Sequence, residues 1–423
     1  TLLREVKQLP AAHYLEIPLD RPELGTPIRY WRLPDNAPVD VSLDEAARRV
    51  RELLLQSITL HLRSDVPVGV ALGTDLASAA ILGGTRAVEP GRDIKAFSPF
   101  LDDLGHDART LIDSVVASAR ANLYRAHVGA NELLSDLDTL IDAQDEPFAD
   151  VDIYVQHRIF RLAKEHGVKV VLDGVGATEL FAAHPRYASA RLGTLVRRGR
   201  LLEAFHFART LGSATGRGGS VWLDAAQALL PTTRWTDRWG TPEWMDRDWF
   251  RARGVALQGA TSEPGRDRLR AEVRQSLSEK DLPRLLRCVD RNSMAASIEC
   301  RTPFLTPALA EYVLRLPEEH LVTPDGTTMN VLRHALRGLV PDAVLDPRTP
   351  RPQALSTERW LKALAPWMEK TLTSEAARRV PMLKPERILR DWQDFLAGRS
   401  PFDSYFWRCA NLIRWAERFD ITF

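Results

Sequence analysis

The chain has 423 residues, a formal net charge of +1 and 44% hydrophobic residues, which is enough apolar material for about two or three domain cores. So small a net charge gives no general attraction to nucleic acid or to an anionic membrane, and no apolar run has the length of a membrane span. The three cysteines have neither paired nor metal-ligand spacing, so we expect buried thiols in a cytoplasmic protein.

The N-terminal region predicts short extended segments followed by a linker and a helix. Prolines interrupt residues 1–33, within which residues 28–31 are expected to be extended, and residues 34–39 form a linker. Ser42 and Glu45 then make a capping box that marks the start of a helix. Apolar residues recur at helical spacing behind this cap, which indicates one buried stripe.

From residue 41 to residue 185, strands alternate with amphipathic helices. The predicted strands cover residues 68–72, 94–97 and 168–172, and the predicted helices begin at residue 76 or cover residues 107–123, 131–143 and 152–166. This alternation predicts an α/β fold, a doubly wound parallel sheet with its ligand crevice at the carboxyl ends of the strands. Residues 186–423 are expected to be mainly helical and to pack over that crevice.

The turn between the first strand and its helix lies where an α/β nucleotide enzyme binds phosphate. The free N–H groups of a helix N-terminus face the anion in such a site, and glycines let it approach closely. Asp75 instead puts a carboxylate into this turn. Two like charges about 4 Å apart repel by roughly 1 to 4 kcal/mol in wet to partly wet surroundings, so the turn predicts poor phosphate binding.

Four segments in the right order resemble the synthetase domain of the asparagine synthetase family, which also includes β-lactam synthetases and lasso-peptide macrolactam cyclases. They are residues 63–70, 145–150, 173–181 and 290–305. The resemblance covers residues 41–365 and implies an adenine-nucleotide α-hydrolase-like fold. Residues 1–34 resemble the last strands of the family's front glutaminase domain without its catalytic half, so residues 1–40 are expected to be a remnant of that domain plus a linker.

The chain departs from the family at positions that carry chemistry. The family's loop reads Ser-Gly-Gly-Leu-Asp-Ser, and the corresponding residues are Gly73, Thr74, Asp75, Leu76, Ala77 and Ser78. The family's second metal-binding acid falls at Thr178, its lysine at Met329, and its Lys-x-Gly-Phe loop begins at Pro350. Carboxylate adenylation needs Mg²⁺ held by carboxylates and positive charge on the leaving pyrophosphate. The resemblance therefore implies that the ATP and metal sites are lost, and no cofactor or metal is expected.

Several acidic residues near the crevice are weak candidates for catalysis without ATP. Asp173 and Glu179 flank a second loop, which follows the predicted strand at residues 168–172. Asp145 and Glu146 lie on the approach to that loop, and His184 follows it. A carboxylate pair with a histidine can do acid–base chemistry. In the structural alternative, Glu179 caps the following helix, and Asp145 and Glu146 bind backbone amides.

Two further groups of residues are better explained by packing. Cys288 and Cys300 have no adjacent histidine and lie in apolar surroundings, so core packing is favoured over a nucleophilic role. Five tryptophans crowd one stretch, where a docking surface for a peptide or base is the functional alternative to packing of a helical subdomain. They are Trp222, Trp235, Trp239, Trp244 and Trp249.

Three classes of function fit these observations. The first is a pseudosynthetase that serves as a scaffold or regulatory partner for a biosynthetic enzyme or peptide. The second is a repurposed enzyme that uses the old cleft for ATP-independent chemistry on a small molecule. The third is an ATP- and Mg²⁺-dependent amide synthetase with substitute ligands. A composition rich in arginine and alanine favours a high-GC bacterial genome, and the family resemblance suggests natural-product biosynthesis.

Overall fold

The computed structural model of the chain describes residues 1–23, 25–34, 38–101, 106–215, 242–255, 267–347 and 357–423. Its strands are β1 (His13–Tyr14), β2 (Ile28–Arg29), β3 (Val68–Ala71), β4 (Lys95–Phe100), β5 (Asn122–His127), β6 (Val170–Leu172) and β7 (Glu299–Arg301). Helices numbered over the described residues begin with α1 (Leu43–His61), α2 (Leu76–Val88), α3 (His106–Ala119), α4 (Ala130–Gln144), α5 (Asp152–Glu165), α6 (Ala177–Leu180), α7 (Pro185–Arg197) and α8 (Leu201–Thr215).

The remaining helices belong to the C-terminal half. They are α9 (Arg247–Ala252), α10 (Arg268–Ser278), α11 (Asp281–Ala295), α12 (Pro307–Val313), α13 (Glu318–Leu321), α14 (Asn330–Ala335), α15 (Asp342–Leu345), α16 (Thr357–Ala363), α17 (Ala365–Thr373), α18 (Glu375–Arg378), α19 (Pro385–Leu396) and α20 (Tyr405–Arg418). A 3₁₀ turn covers Pro303–Leu305. Among the described residues, no helix is both long and apolar enough to cross a bilayer.

A parallel sheet lies at the centre of the described fold, with the strand order β5-β4-β3-β6-β7. Every residue of β3 and of β6 is buried, because helices flank the sheet. β3 pairs in parallel with β4 on one side and with β6 on the other, so that Val70 lies opposite both Ala96 and Leu172. The chain thus winds outward from β3 in two directions, which confirms the predicted doubly wound α/β sheet.

Two strands of this sheet come from segments for which the sequence predicted other structure. The helix expected over residues 107–123 ends at Ala119, and β5 follows as an edge strand paired with β4. Arg120 has a left-handed φ of 48°, which cannot continue a helix. β7 joins the sheet from the region that was expected to be mainly helical, so the sheet is not confined to residues 41–185. β5 is a half-exposed edge strand and β7 has three residues, so neither has the apolar run that marks β3 and β6.

The first long helix forms as its sequence predicts. Ser42 Oγ accepts the Glu45 N–H at 3.3 Å, and a Glu45 carboxylate oxygen accepts the Ser42 N–H at 3.0 Å, which completes the capping box of α1. The apolar stripe of α1 is buried and packs against α2 and α14. In the C-terminal half, α11 packs on α4, α5 and β7, and α20 packs on α4 and α17.

Candidate functional site

The strand order places the expected ligand crevice between the loops that follow β3 and β6. These strands are neighbours, and the chain leaves them toward opposite edges of the sheet, which makes this the switch point where doubly wound sheets bind ligands. The two loops touch, because a Cβ at Gly174 would lie 2.9 Å from the Ala77 Cβ and 3.0 Å from the Ser78 nitrogen. Only glycine allows this approach. The close contact places the loop after β6 directly against the start of α2.

The N-terminus of α2 is capped by a side chain of its own loop. Asp75 Oδ1 accepts the Ser78 N–H at 2.9 Å, and Asp75 Oδ2 accepts the Ser78 hydroxyl at 2.8 Å. Ser78 Oγ in turn accepts the N–H of Gly73 at 3.0 Å. The carboxylate therefore lies where an anion would bind at this helix terminus.

The positions that the family resemblance assigns to metal and phosphate ligands hold neither a carboxylate nor a cation in this chain. Ala77 is buried and offers only a methyl group, and Thr178 is exposed on α6. Met329 is 4% exposed, with a left-handed φ of 56° just before α14, so its apolar side chain lies in the core, at the position to which the resemblance assigns a lysine. Pro350 lies outside the described residues. Within the described ranges, no three His, Cys, Asp or Glu side chains are grouped so as to hold a metal ion.

Asp173 lies at the end of β6, in the wall of the crevice. Its Oδ1 accepts the Val175 N–H at 3.1 Å, and its Oδ2 accepts a hydrogen bond from Gln156 Nε2 at 3.4 Å. Burial raises the pKa of Asp173 to about 6 despite the Val175 N–H, and the negative charge of Asp75 acts in the same direction as burial. A carboxyl group with such a pKa can exchange a proton near neutral pH.

Glu179 and His184 belong to a separate cluster around Arg186. Glu179 is buried, burial raises its pKa, and its Oε2 has no hydrogen-bond partner among the described residues. His184 Nδ1 accepts the Arg186 N–H at 3.2 Å, so the N-cap of α7 is His184 and not Glu179. Burial lowers the pKa of His184. The Arg186 guanidinium pairs with Asp281 and, at 3.5 Å, with Glu272.

Asp145 and Glu146 form a third group, at the end of α4. The Asp145 carboxylate lies 3.1 Å from Arg291, and the Glu146 carboxylate lies 3.0 Å from Arg287. Arginine side chains thus take the place of the backbone amides that the structural alternative expected. The five candidate residues have three different sets of partners, and the contacts of the described residues do not join them into one acid–base constellation.

Three carboxamide residues behind Asp173 were not singled out from the sequence. Gln144, Asn292 and Gln156 form a hydrogen-bonded chain that ends on the Asp173 carboxylate. Gln144 and Asn292 are 148 residues apart, so no local spacing connects them. Asn292 lies within the segment of residues 290–305 that resembles the family, whereas Gln144 and Gln156 lie in none of the four segments.

The cysteines and two of the tryptophans have packing environments. All three cysteines are free in the described structure. Burial raises the pKa of Cys288 and Cys300, and that of Cys409 to about 12, which keeps the thiols protonated and weakly nucleophilic. Trp244 stacks on Tyr405 with ring centroids 4.9 Å apart. Trp249 packs beneath the Arg253 guanidinium. The tryptophans outside the described residues are Trp222, Trp235 and Trp239.

Curated relatives cover most of the chain at low identity. "Asparagine synthetase [glutamine-hydrolyzing] 1" of Bacillus subtilis is 23% identical over 395 residues, which are 89% of this chain and 60% of the relative. "Asparagine synthetase [glutamine-hydrolyzing] 3" of the same organism is 24% identical over 88% of this chain and 58% of its own length. "Amidase chyE" of Penicillium rubens is 24% identical over 204 residues, 44% of this chain and 30% of the relative.

The coverage of these relatives and the match to one family model show how this chain is related to known proteins. The chain spans about three-fifths of the length of the Bacillus relatives. The family described as asparagine synthase matches residues 49–417, which include every strand of the parallel sheet and both crevice loops. The chain therefore belongs to the asparagine synthase family.

Proposed function

We propose that this protein keeps the synthetase-domain fold but does not adenylate a carboxylate with ATP, and that it acts as a pseudosynthetase. Its role is that of a scaffold or regulatory partner for a biosynthetic enzyme or its peptide substrate. The observation that carries this proposal is the Asp75 carboxylate, which occupies the N-terminus of α2. A cytoplasmic role in bacterial natural-product biosynthesis is part of the proposal, and the family resemblance and the composition favour it.

Electrostatics and hydrogen bonding both oppose a bound phosphate in this loop. A phosphate about 4 Å from the Asp75 carboxylate is repelled by roughly 1 to 4 kcal/mol. The Ser78 N–H and hydroxyl already donate to Asp75, so an incoming phosphate has to displace that carboxylate to reach them.

The same conclusion follows from the ligands that adenylation requires. Mg²⁺ needs carboxylate oxygens, and Ala77 and Thr178 supply none. A leaving pyrophosphate needs preorganised positive charge, and Met329 is a buried apolar residue. Several independent requirements of the reaction are thus missing at once.

One observation favours the second class, an ATP-independent enzyme that binds a small molecule in the crevice. Asp173 directly follows β6 and has a pKa of about 6, raised by burial, which suits a general acid or base near neutral pH. This alternative shares the absence of ATP chemistry with the pseudosynthetase. It differs in predicting turnover that depends on Asp173.

The proposal is tested by adding ATP and Mg²⁺ at millimolar concentration, together and separately, and measuring the thermal midpoint and pyrophosphate release with a panel of carboxylic acids. We expect no rise in the midpoint and no pyrophosphate, because a ligand stabilises the native state only by binding it. ATP alone and Mg²⁺ alone are the matched controls. A midpoint rise that requires both would contradict the proposal and favour an ATP-dependent amide synthetase with substitute ligands.

A further inference from the structure

The C-terminal helix α20 is fastened to α4 and to the loop that follows it. Two arginines of α20 pair with two aspartates of α4, Arg414 with Asp138 and Arg418 with Asp142, each through two hydrogen bonds of 2.5 to 2.8 Å. These pairs are partly exposed, so each contributes little stability but sets the register of the two helices.

Two buried residues of α20 hold the loop backbone itself. Asn411 is fully buried, and its Oδ1 accepts the Phe148 N–H at 2.8 Å. The indole N–H of Trp415 donates to the Asp145 carbonyl oxygen at 2.8 Å. Asp145 has a left-handed φ of 58°, a conformation that costs free energy in a residue other than glycine and persists when its surroundings enforce it. Asp145 is the C-cap of α4, where its N–H donates to the Ile141 carbonyl oxygen at 3.0 Å and Trp415 holds the Asp145 carbonyl oxygen.

Side-chain amides continue from this loop to the crevice. Gln144, the residue before Asp145, donates from Nε2 to Asn292 Oδ1 at 2.8 Å. Asn292 Nδ2 donates to Gln156 Oε1 at 3.2 Å, and Gln156 Nε2 donates to Asp173 Oδ2 at 3.4 Å. Gln144 and Asn292 are fully buried, where breaking a hydrogen bond leaves a polar group without water. Gln144 Nε2 and Asn292 Nδ2 also donate to the carbonyl oxygens of Cys288 and Ile153, at 3.1 and 2.8 Å, which holds both amides in place, whereas Gln144 Oε1 has no hydrogen-bond partner in the described structure.

We propose that α20, the loop of residues 145–148 and the Gln144–Asn292–Gln156 chain act as one unit that positions the Asp173 carboxylate in the crevice. Asn411 and Trp415 are positioning residues that act on this unit from the far C-terminal helix, since Asn411 lies 263 residues after Phe148. The proposal applies equally to a scaffold and to an ATP-independent enzyme, and its test uses no nucleotide.

The first variant is Trp415→Phe, which removes the indole N–H and keeps an aromatic ring. Trp392→Phe is the matched control, because Trp392 is fully buried and its indole N–H has no hydrogen-bond partner in the described structure. Hydrogen exchange is measured on peptides that cover residues 144–150. We expect Trp415→Phe to accelerate that exchange by about threefold to tenfold, the effect of losing one hydrogen bond. Trp392→Phe should leave it unchanged.

The second readout is the titration of Asp173. The thermal midpoint is measured as a function of pH for each protein and for the same protein carrying Asp173→Asn, and the difference between the two curves reports the pKa of Asp173. The pKa of Asp173 in the folded protein is about 6, above its ordinary 3.8, so its contribution to stability is full below 3.8 and is lost as the pH rises through about 6. The titratable groups that face it are Asp75 and the Cys300 thiol, which burial keeps neutral. Loss of the Gln156 hydrogen bond removes a contact that favours the charged form, so the pKa should move upward.

Gln156→Leu isolates the last link, at a half-buried position that tolerates an apolar residue. It should raise the pKa of Asp173 and leave exchange at residues 144–150 unchanged, whereas Trp415→Phe should change both. This second variant keeps the test decisive if Trp415→Phe fails to fold. The proposal is overturned if Gln156→Leu leaves the Asp173 titration as in the unsubstituted protein, or if the exchange of Trp415→Phe matches that of Trp392→Phe.

Discussion

At the scale of single residues, the Asp75 carboxylate caps the N-terminus of α2. A glycine at this position would leave the Ser78 N–H and hydroxyl free for an anion, as anion-binding helix termini require. With aspartate, both donors are used within the loop. Charge, metal ligand and backbone access thus depend on neighbouring residues, and such effects are not additive.

Restoring one lost side chain should therefore not restore nucleotide binding. Asp75→Gly frees the donors but leaves no ligand for Mg²⁺, and Ala77→Asp adds a carboxylate beside Asp75 that repels a phosphate further. Asp75→Asn is the control, since it removes the charge and keeps an acceptor for the cap. Calorimetry with ATP and Mg²⁺ should detect no micromolar binding to any of the three variants. Micromolar binding to Asp75→Gly or to Ala77→Asp would mean that the phosphate-binding loop is nearly intact.

At the scale of elements, α2 is held close to its neighbours at a position where only glycine fits. A Cβ at Gly83 would collide with the Leu339 carbonyl oxygen and approach Val340 Cγ1 at 3.1 Å. Gly83→Ala should lower the free energy of unfolding by about 1 to 3 kcal/mol through overpacking, although alanine is the better helix former. Gly91→Ala, where nothing lies within 4 Å, should be nearly neutral in the same denaturation experiment. Equal effects of the two changes would show that α2 is not packed this closely.

Elements differ in how well the sequence predicted them, for physical reasons. β3 and β6 are buried on both faces and are therefore uniformly apolar, and α1 carries its own start signal in Ser42 and Glu45. β5 is an edge strand with mixed polarity, so its local hydrophobic pattern does not predict that it pairs with β4. The carboxamide chain to Asp173 escaped prediction because its members meet only in the folded protein. The capping of α2 by Asp75 follows from local sequence, whereas the arginine partners of Asp145 and Glu146 do not.

At the scale of the whole molecule, family membership and the doubly wound sheet are established. The hydrophobic core extends from the sheet to α20 without interruption among the described residues. The central claim of the pseudosynthetase proposal is that this fold serves structure and binding without ATP chemistry.

The most direct test of that claim is calorimetric titration of ATP with Mg²⁺ into the unsubstituted protein and into a combined variant. The variant carries the family loop Ser-Gly-Gly-Leu-Asp at residues 73–77 together with Thr178→Asp and Met329→Lys. Met329 is 4% exposed, so a lysine there places a charge in the core. The folding of the combined variant is therefore checked by circular dichroism with and without Met329→Lys. We expect saturable, metal-dependent binding to the combined variant and none to the unsubstituted protein. Micromolar, metal-dependent ATP binding by the unsubstituted protein would contradict the account.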